Sequence, residues 1–205
     1  MRTGWAFRYK LLFDGTRQIL DFVLPGELVG FPGTERLPYM DHSVETVTEM
    51  KYFAHSLSDV IRLSQSDASI LSALVWMISS EKARAFERLI DIGRRNARER
   101  VAHLILELFN RLQIADPTIT GPCPFPLTQV VIADSLGLSP VHVNRVIRQF
   151  QRAGLATIAN HTLTIHDVEA LEDICDFNNA YLKNDYHERL ERLFYDNHQP
   201  ETVNF

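Results

Sequence analysis

The stretch from Gln129 to Arg148 restricts the fold more than any other part of the chain. Thr128 is a helix-capping residue placed just before Gln129–Leu136, whose apolar positions keep a helical spacing, and Gly137 closes that segment. Ser139-Pro140 then opens a second helix, a capping serine followed by the proline favoured at the first helical position. Two helices joined by a short glycine-containing turn predict a helix-turn-helix. Ala133 is small enough for the second helix to cross closely, and Gly137 supplies a left-handed turn residue at no steric cost. Ile132, Leu136, Leu138, Val143 and Val146 provide the apolar contacts that hold the two helices at a steep angle. A plain helical hairpin, the alternative, has no need of all these features together.

Such a unit places the early residues of its second helix in the major groove of DNA. That helix exposes His142, Asn144, Arg145, Arg148 and, further along, Arg152. Arg145 has the fork geometry for guanine O6 and N7, and Asn144 suits adenine. His142 fits a base edge or a phosphate, whereas Arg148 and Arg152, a turn or more later, meet phosphate or lie outside the contact. Thr128 and Gln129 begin the first helix, where free amides and the helix dipole favour a phosphate. The expected DNA-contacting set is therefore Thr128, Gln129, Ser139, Val141, His142, Asn144, Arg145 and Arg148. Beyond it, two short alternating stretches around Asn160-His161 predict a hairpin wing, and Asp167 caps a closing helix expected to reach Leu182.

The first quarter of the chain is β-rich. Residues 5–11 and 18–24 alternate as strands around Asp14-Gly15, which predicts a two-residue hairpin turn, and residues 43–48 form a further strand. A long helix then starts behind Ser66 or Asp67. Leu71, Val75, Ile78, Lys82, Ala85, Leu89 and Ile92 follow alternating four- and three-residue spacing, the seam of a coiled coil. This favours a self-pairing helix over one that merely lies on its own domain. Gly93 interrupts it, a second helix runs from Ala97 to Leu112, and a proline-rich connector (Asp116-Pro117, then residues 121–126) cannot be helical.

The net charge of −5 argues against a nucleic-acid partner only until its distribution is considered. Residues 167–205 carry −7, leaving +2 for residues 1–166, and binding depends on charge at the contact surface. No apolar run approaches the roughly 20 residues that span a bilayer, and the N-terminus lacks a secretory apolar core, so the expected location is the cytoplasm with no membrane partner. The eight histidines and the two cysteines form no metal spacing, and neither a glycine-rich phosphate loop nor a nucleophile elbow is present. An enzyme is not expected, nor a metal or other cofactor. Redox sensing through a cysteine is a lesser alternative, with Cys123 in the connector better placed than Cys175, which falls on an apolar helix face.

Over nearly its whole length the chain resembles the Crp/Fnr family of bacterial transcription regulators. The resemblance rests on Pro126-Leu127-Thr128-Gln129, Ile132-Ala133-Asp134, Leu136-Gly137-Leu138-Ser139 and Val143-Asn144-Arg145. It is supported by residues 93–102 and by the turn Leu24-Pro25-Gly26-Glu27-Leu28-Val29-Gly30-Phe31. It implies an α+β fold: a shortened β-roll sensor-like domain (1–65), a dimerisation helix (66–95), a C-terminal winged helix-turn-helix domain (96–182) and an acidic tail (183–205). It further implies a homodimer on palindromic double-stranded DNA, with half-sites about 34–36 Å apart, and a contact with RNA polymerase. A small-molecule-sensing module dominated by its β-roll is the alternative.

Three departures qualify the resemblance. In cyclic-nucleotide-binding members a Glu holds the ribose and an Arg-Ser/Thr-Ala segment clamps the phosphate; here Glu27 is present, but the second segment reads His42-Ser43-Val44, with no arginine for a bidentate clamp. The N-terminal cysteine cluster of iron–sulfur members is absent, and the β-roll begins later than is usual in the family. Val141 also stands where many members place a glutamate that reads cytosine.

Overall fold

The computed structural model describes residues 1–30 and 42–183. The expected acidic tail lies outside the described residues from position 184 onward, as does Phe31 of the turn motif. Strands β1 (Ala6–Leu11) and β2 (Arg17–Val23) pair antiparallel, and β3 (Ser43–Thr46) adds to the other side of β1. The hairpin between β1 and β2 differs from the two-residue turn expected. Gly15 N–H donates to Leu12 O (3.0 Å) and Leu12 N–H donates to Thr16 O (2.9 Å), giving a three-residue loop. Gly15, at φ +82°, takes the left-handed position that ends such a loop.

Helix α1 (Leu57–Ser66) was not foreseen within a segment read as β. Ser56 caps it by accepting from Asp59 N–H (3.1 Å), and Leu57, Val60 and Ile61 keep a helical spacing, although none of its residues is buried. Asp67 ends α1 and caps the long helix α2 (Ala68–Gly93) by accepting from Ser69 N–H. At 26 residues, α2 is about 39 Å long.

Helix α3 (Ala97–Ala115) begins with a capping box between Asn96 and Glu99 and runs three residues beyond its expected end. It is the core helix: Val101, Leu104, Ile105, Leu108 and Leu112 are buried. Trp5, Phe7, Ile19, Phe22 and Leu24 from the N-terminal sheet join the same apolar cluster as α3 and the C-terminal helices. Trp5 meets Phe125 edge-on, with ring centroids 6.1 Å apart.

The proline-rich connector contributes β4 (Cys123–Pro124), which pairs with β6 (Thr162–Ile165) beside β5 (Ala156–Ala159). Between β5 and β6, Asn160 and His161 both have positive φ, as a tight two-residue hairpin turn demands. The closing helix α6 (Val168–Cys175) is shorter than expected. Asp176 is left-handed (φ 50°) and stops it, and a 3₁₀ turn follows at Asn179–Leu182. Among the described residues no helix is long and apolar enough to cross a membrane.

Candidate nucleic-acid interface

Helices α4 (Gln129–Leu136) and α5 (Pro140–Arg152) form the expected pair. Thr128 Oγ1 accepts from Val131 N–H and Ser139 Oγ accepts from His142 N–H, both at 3.2 Å. Each hydroxyl thus stabilises its own helix start, typically by about 1 kcal/mol. Gly137 closes α4 at φ 64°, ψ 38°. Ile132, Ala133 and Leu136 of α4 and Val143, Val146 and Phe150 of α5 are buried. With that face of α5 committed to the core, its opposite side must face out.

The outward side is a shallow concave surface lined by Gln129, Val141, Asn144, Arg145, Arg148 and Arg152, among others. The α5 residues recur at three- and four-residue spacing along one face. Val141, Arg145 and Arg148 are exposed and Asn144 is half-buried. Of the residues expected to contact DNA, the fold brings Gln129, Val141, Asn144, Arg145 and Arg148 to this surface. Thr128 lies on a neighbouring concavity with Gln129 and Val130. Ser139 and His142 line neither surface; His142 is half-buried one step round the helix from Val141. Gln149 also lines the main surface and escaped the sequence reading, although it stands four residues after Arg145.

Two sets of contacts fix this surface relative to the rest of the chain. Arg100 donates from Nη1 to Leu136 O (3.2 Å), from Nη2 to Ile92 O (3.1 Å) and from Nε to Arg95 O (2.8 Å). It therefore ties the carbonyl ends of α2 and α4 together, where a cation is favoured. Arg17 of β2 pairs with Asp134 of α4 (2.9 Å) and with Glu45 of β3 (3.0 Å), its guanidinium lying over the Phe7 ring.

The inner face of α2 is held by charge. Arg84 pairs with Asp21 (3.0 Å), Arg88 with Asp91 (3.2 Å) and Glu107 (3.1 Å), and Glu81 with Arg8. Arg111 of α3 reaches Glu27 (2.7 Å), Glu107 (3.1 Å) and Asp21 (3.3 Å). Burial alone would raise the Asp21 carboxyl, but Arg111, Arg84 and Arg8 together hold it down at about 2. Glu27, which the resemblance associates with a ribose, is thus committed to Arg111 and also accepts from Leu24 N–H. A cavity of about 310 Å³ beside Glu27 is lined by Arg8, Glu81, Arg84 and Arg111, charges already paired with one another or with Asp21 and Glu27.

The outer face of α2 is apolar and open. Leu71, Leu89 and Ile92 are 54%, 66% and 55% exposed, and Ile78, Lys82 and Ala85 of the same seam are exposed as well; Val75 is half-buried.

Both cysteines are buried. Burial pushes the Cys123 thiol up to about 11 and the Cys175 thiol up to about 12, so neither carries appreciable thiolate at neutral pH. Cys123 is therefore not the accessible thiol that its place between prolines suggested. Among the described residues no cluster of His, Cys, Asp and Glu has the makings of a metal site.

The sequence pattern of the Crp-like helix-turn-helix domain matches residues 99–174. The chain is 30% identical over 164 residues to the transcriptional activatory protein AadR of Rhodopseudomonas palustris, covering 80% of this chain and 67% of that protein. It is also 30% identical over 175 residues to the nitrogen fixation regulation protein FixK of Rhizobium meliloti, covering 85% and 76% respectively. Among solved structures, FixK2 from Bradyrhizobium japonicum superposes with a TM-score of 0.69 at 27% identity, covering 84% of this chain and 83% of that one.

Proposed function

The chain belongs to the Crp/Fnr family of transcription regulators, and from that premise we propose that two copies bind a palindromic double-stranded DNA site. It is a regulator and not an enzyme, as its relatives are. In this reading α5 of each copy enters a major groove. Arg145 reads guanine, Asn144 reads adenine, and Gln129, Arg148 and Arg152 engage the flanking phosphates. Thr128, Ser139 and His142 sit at the margin, beside the DNA backbone.

The observation that carries this reading is the single outward face of α5, where basic and amide side chains gather round one concavity while the opposite face is locked in the core. The whole-chain charge of −5 is no obstacle, because Arg145, Arg148 and Arg152 concentrate positive charge where DNA would lie.

Pairing through α2 supplies the two-fold symmetry. Its seam keeps a coiled-coil spacing and is turned away from its own chain, so a second copy is the partner it suits. We assign residues 66–95 to dimerisation, residues 96–182 to DNA binding and residues 1–65 to a β-roll-like domain whose strands β1–β3 brace both. A contact with RNA polymerase is supported by the description of the R. palustris relative as activatory, and the cytoplasm is where such a protein meets its DNA.

Replacing Arg145 with Ala tests the assignment. In a gel-shift titration on the selected site, Arg145→Ala loses about 1–3 kcal/mol of specific binding and relaxes discrimination at one base pair. Wild-type affinity in that variant would contradict it.

A further inference from the structure

Val141, with the ring of Pro140 before it, is the apolar part of the reading face. Its neighbours Asn144, Arg145, Arg148 and Gln149 are hydrogen-bonding groups, whereas Val141 is a branched hydrocarbon 80% exposed to water. It is the second residue of α5, directly after Pro140. That is the end of the helix that goes deepest into a groove in this docking geometry. Phosphates and polar base edges gain nothing from it. The apolar group that B-DNA presents in the major groove is the C5-methyl of thymine.

The spacing along α5 adds a position. At 1.5 Å per residue, Val141 lies about 4.5 Å before Asn144 and about 6 Å before Arg145 along the helix axis. Base pairs stack roughly 3.4 Å apart, so these side chains address pairs one to two steps apart. Cytosine opposite Val141 would turn its N4 amino donor toward hydrocarbon and leave it without an acceptor, a cost that thymine does not incur.

Resting on the DNA-reading role proposed above, we infer that Val141 reads the methyl group of a thymine within two base pairs of the guanine read by Arg145. Each half-site then carries a T·A pair at that position, and cytosine is rejected there. Specificity at this pair comes from hydrophobic contact and exclusion, not from a hydrogen bond.

Uracil isolates the methyl group, since it pairs like thymine and lacks only that carbon. The full-length protein is first used to select its preferred duplex, and each thymine of the half-site is then replaced in turn by deoxyuridine. Burying one methyl is worth roughly fourfold in affinity, so one substitution weakens wild-type binding about fourfold while the others leave it unchanged. Val141→Ala loses that dependence but keeps the guanine preference set by Arg145. Val141→Glu, which offers cytosine an acceptor, shifts preference at the same pair to C·G. Because Val141 is exposed, neither change disturbs the core, and far-ultraviolet circular dichroism checks the fold. A site that needs Arg145 yet responds to no uracil, or a uracil effect that persists in Val141→Ala, overturns this inference and leaves the DNA-reading role intact. Failure to select any site overturns both.

Discussion

Helices α2 and α3 follow one another across the short turn after Gly93, yet they meet the rest of the molecule in opposite ways. α3 buries an apolar face against the sheet, α5 and α6, with Val101, Leu104, Ile105 and Leu108 at 1% exposure or less. α2 buries only Ser80, Arg84 and Asp91, and leaves Leu71, Phe86, Leu89 and Ile92 in water. The first pattern is that of a helix stabilised by its own chain. In the second, the inward contacts are ion pairs, whose Coulombic gain is largely offset by desolvation. An apolar stripe then contributes burial only when another molecule covers it. Position in the sequence does not separate the two helices; the direction of their hydrocarbon does.

Three perturbations probe that contrast. The largest effect is expected from Arg111→Ala, because it strips the shared cation from Glu27, Glu107 and Asp21 at the junction of α3 with the sheet. Glu27 then loses its cation, while Asp21 keeps Arg84 and Glu107 keeps Arg88; breaking the buried network in this way costs about 3–5 kcal/mol, read as a fall in the midpoint of urea unfolding. Wild-type stability in this variant would mean that the network is ornamental to the fold.

Acid gives a smaller effect of defined sign. The Asp21 carboxyl is held at about 2 in the folded protein, below its ordinary value of 3.8. Its contribution is therefore complete above about pH 5 and is lost as the pH falls through 4 toward 2, on the order of 2.5 kcal/mol in all. Asp21→Asn should remove this part of the acid dependence, as followed by chemical denaturation at each pH.

The smallest effect on folding is expected from Leu89→Glu on the outer face of α2. An exposed position away from any cap or pair moves stability by about 0.5 kcal/mol or less, while sedimentation should show that the variant has stopped self-associating. Extensive unfolding would instead mean that this face is covered by its own chain.

The helix-turn-helix was legible because its instructions are local. Thr128, Gly137, Ser139 and Pro140 each act on backbone within a few residues, and the apolar spacing of Ile132, Leu136, Val143 and Val146 follows the helical period. The coiled-coil spacing of α2 was equally local, and all of the seam residues but the half-buried Val75 are exposed. What could not be read is non-local. Arg8, Asp21, Arg84 and Arg111 come from β1, β2, α2 and α3, and only the Glu107–Arg111 spacing of four hinted at their network. β4 exists because Cys123 finds Leu163 forty residues away, a pairing that the connector's prolines concealed. α1 lacks a buried face, and α6 stops where Asp176, an ordinary helix-surface residue by type, turns left-handed. On the reading face, Gln149 carries no charge, and only its spacing of four from Arg145 marks it.

In the proposed dimer the two regions act together: α2 would set a two-fold axis, and α5 would read DNA on either side of it. Selection of bound duplexes from a random pool by the full-length protein tests both at once. The expected product is an inverted repeat whose half-site centres lie one helical turn, about 34–36 Å, apart, each half-site holding the guanine assigned to Arg145. Enrichment of a single unpaired half-site, or of no sequence, would contradict it.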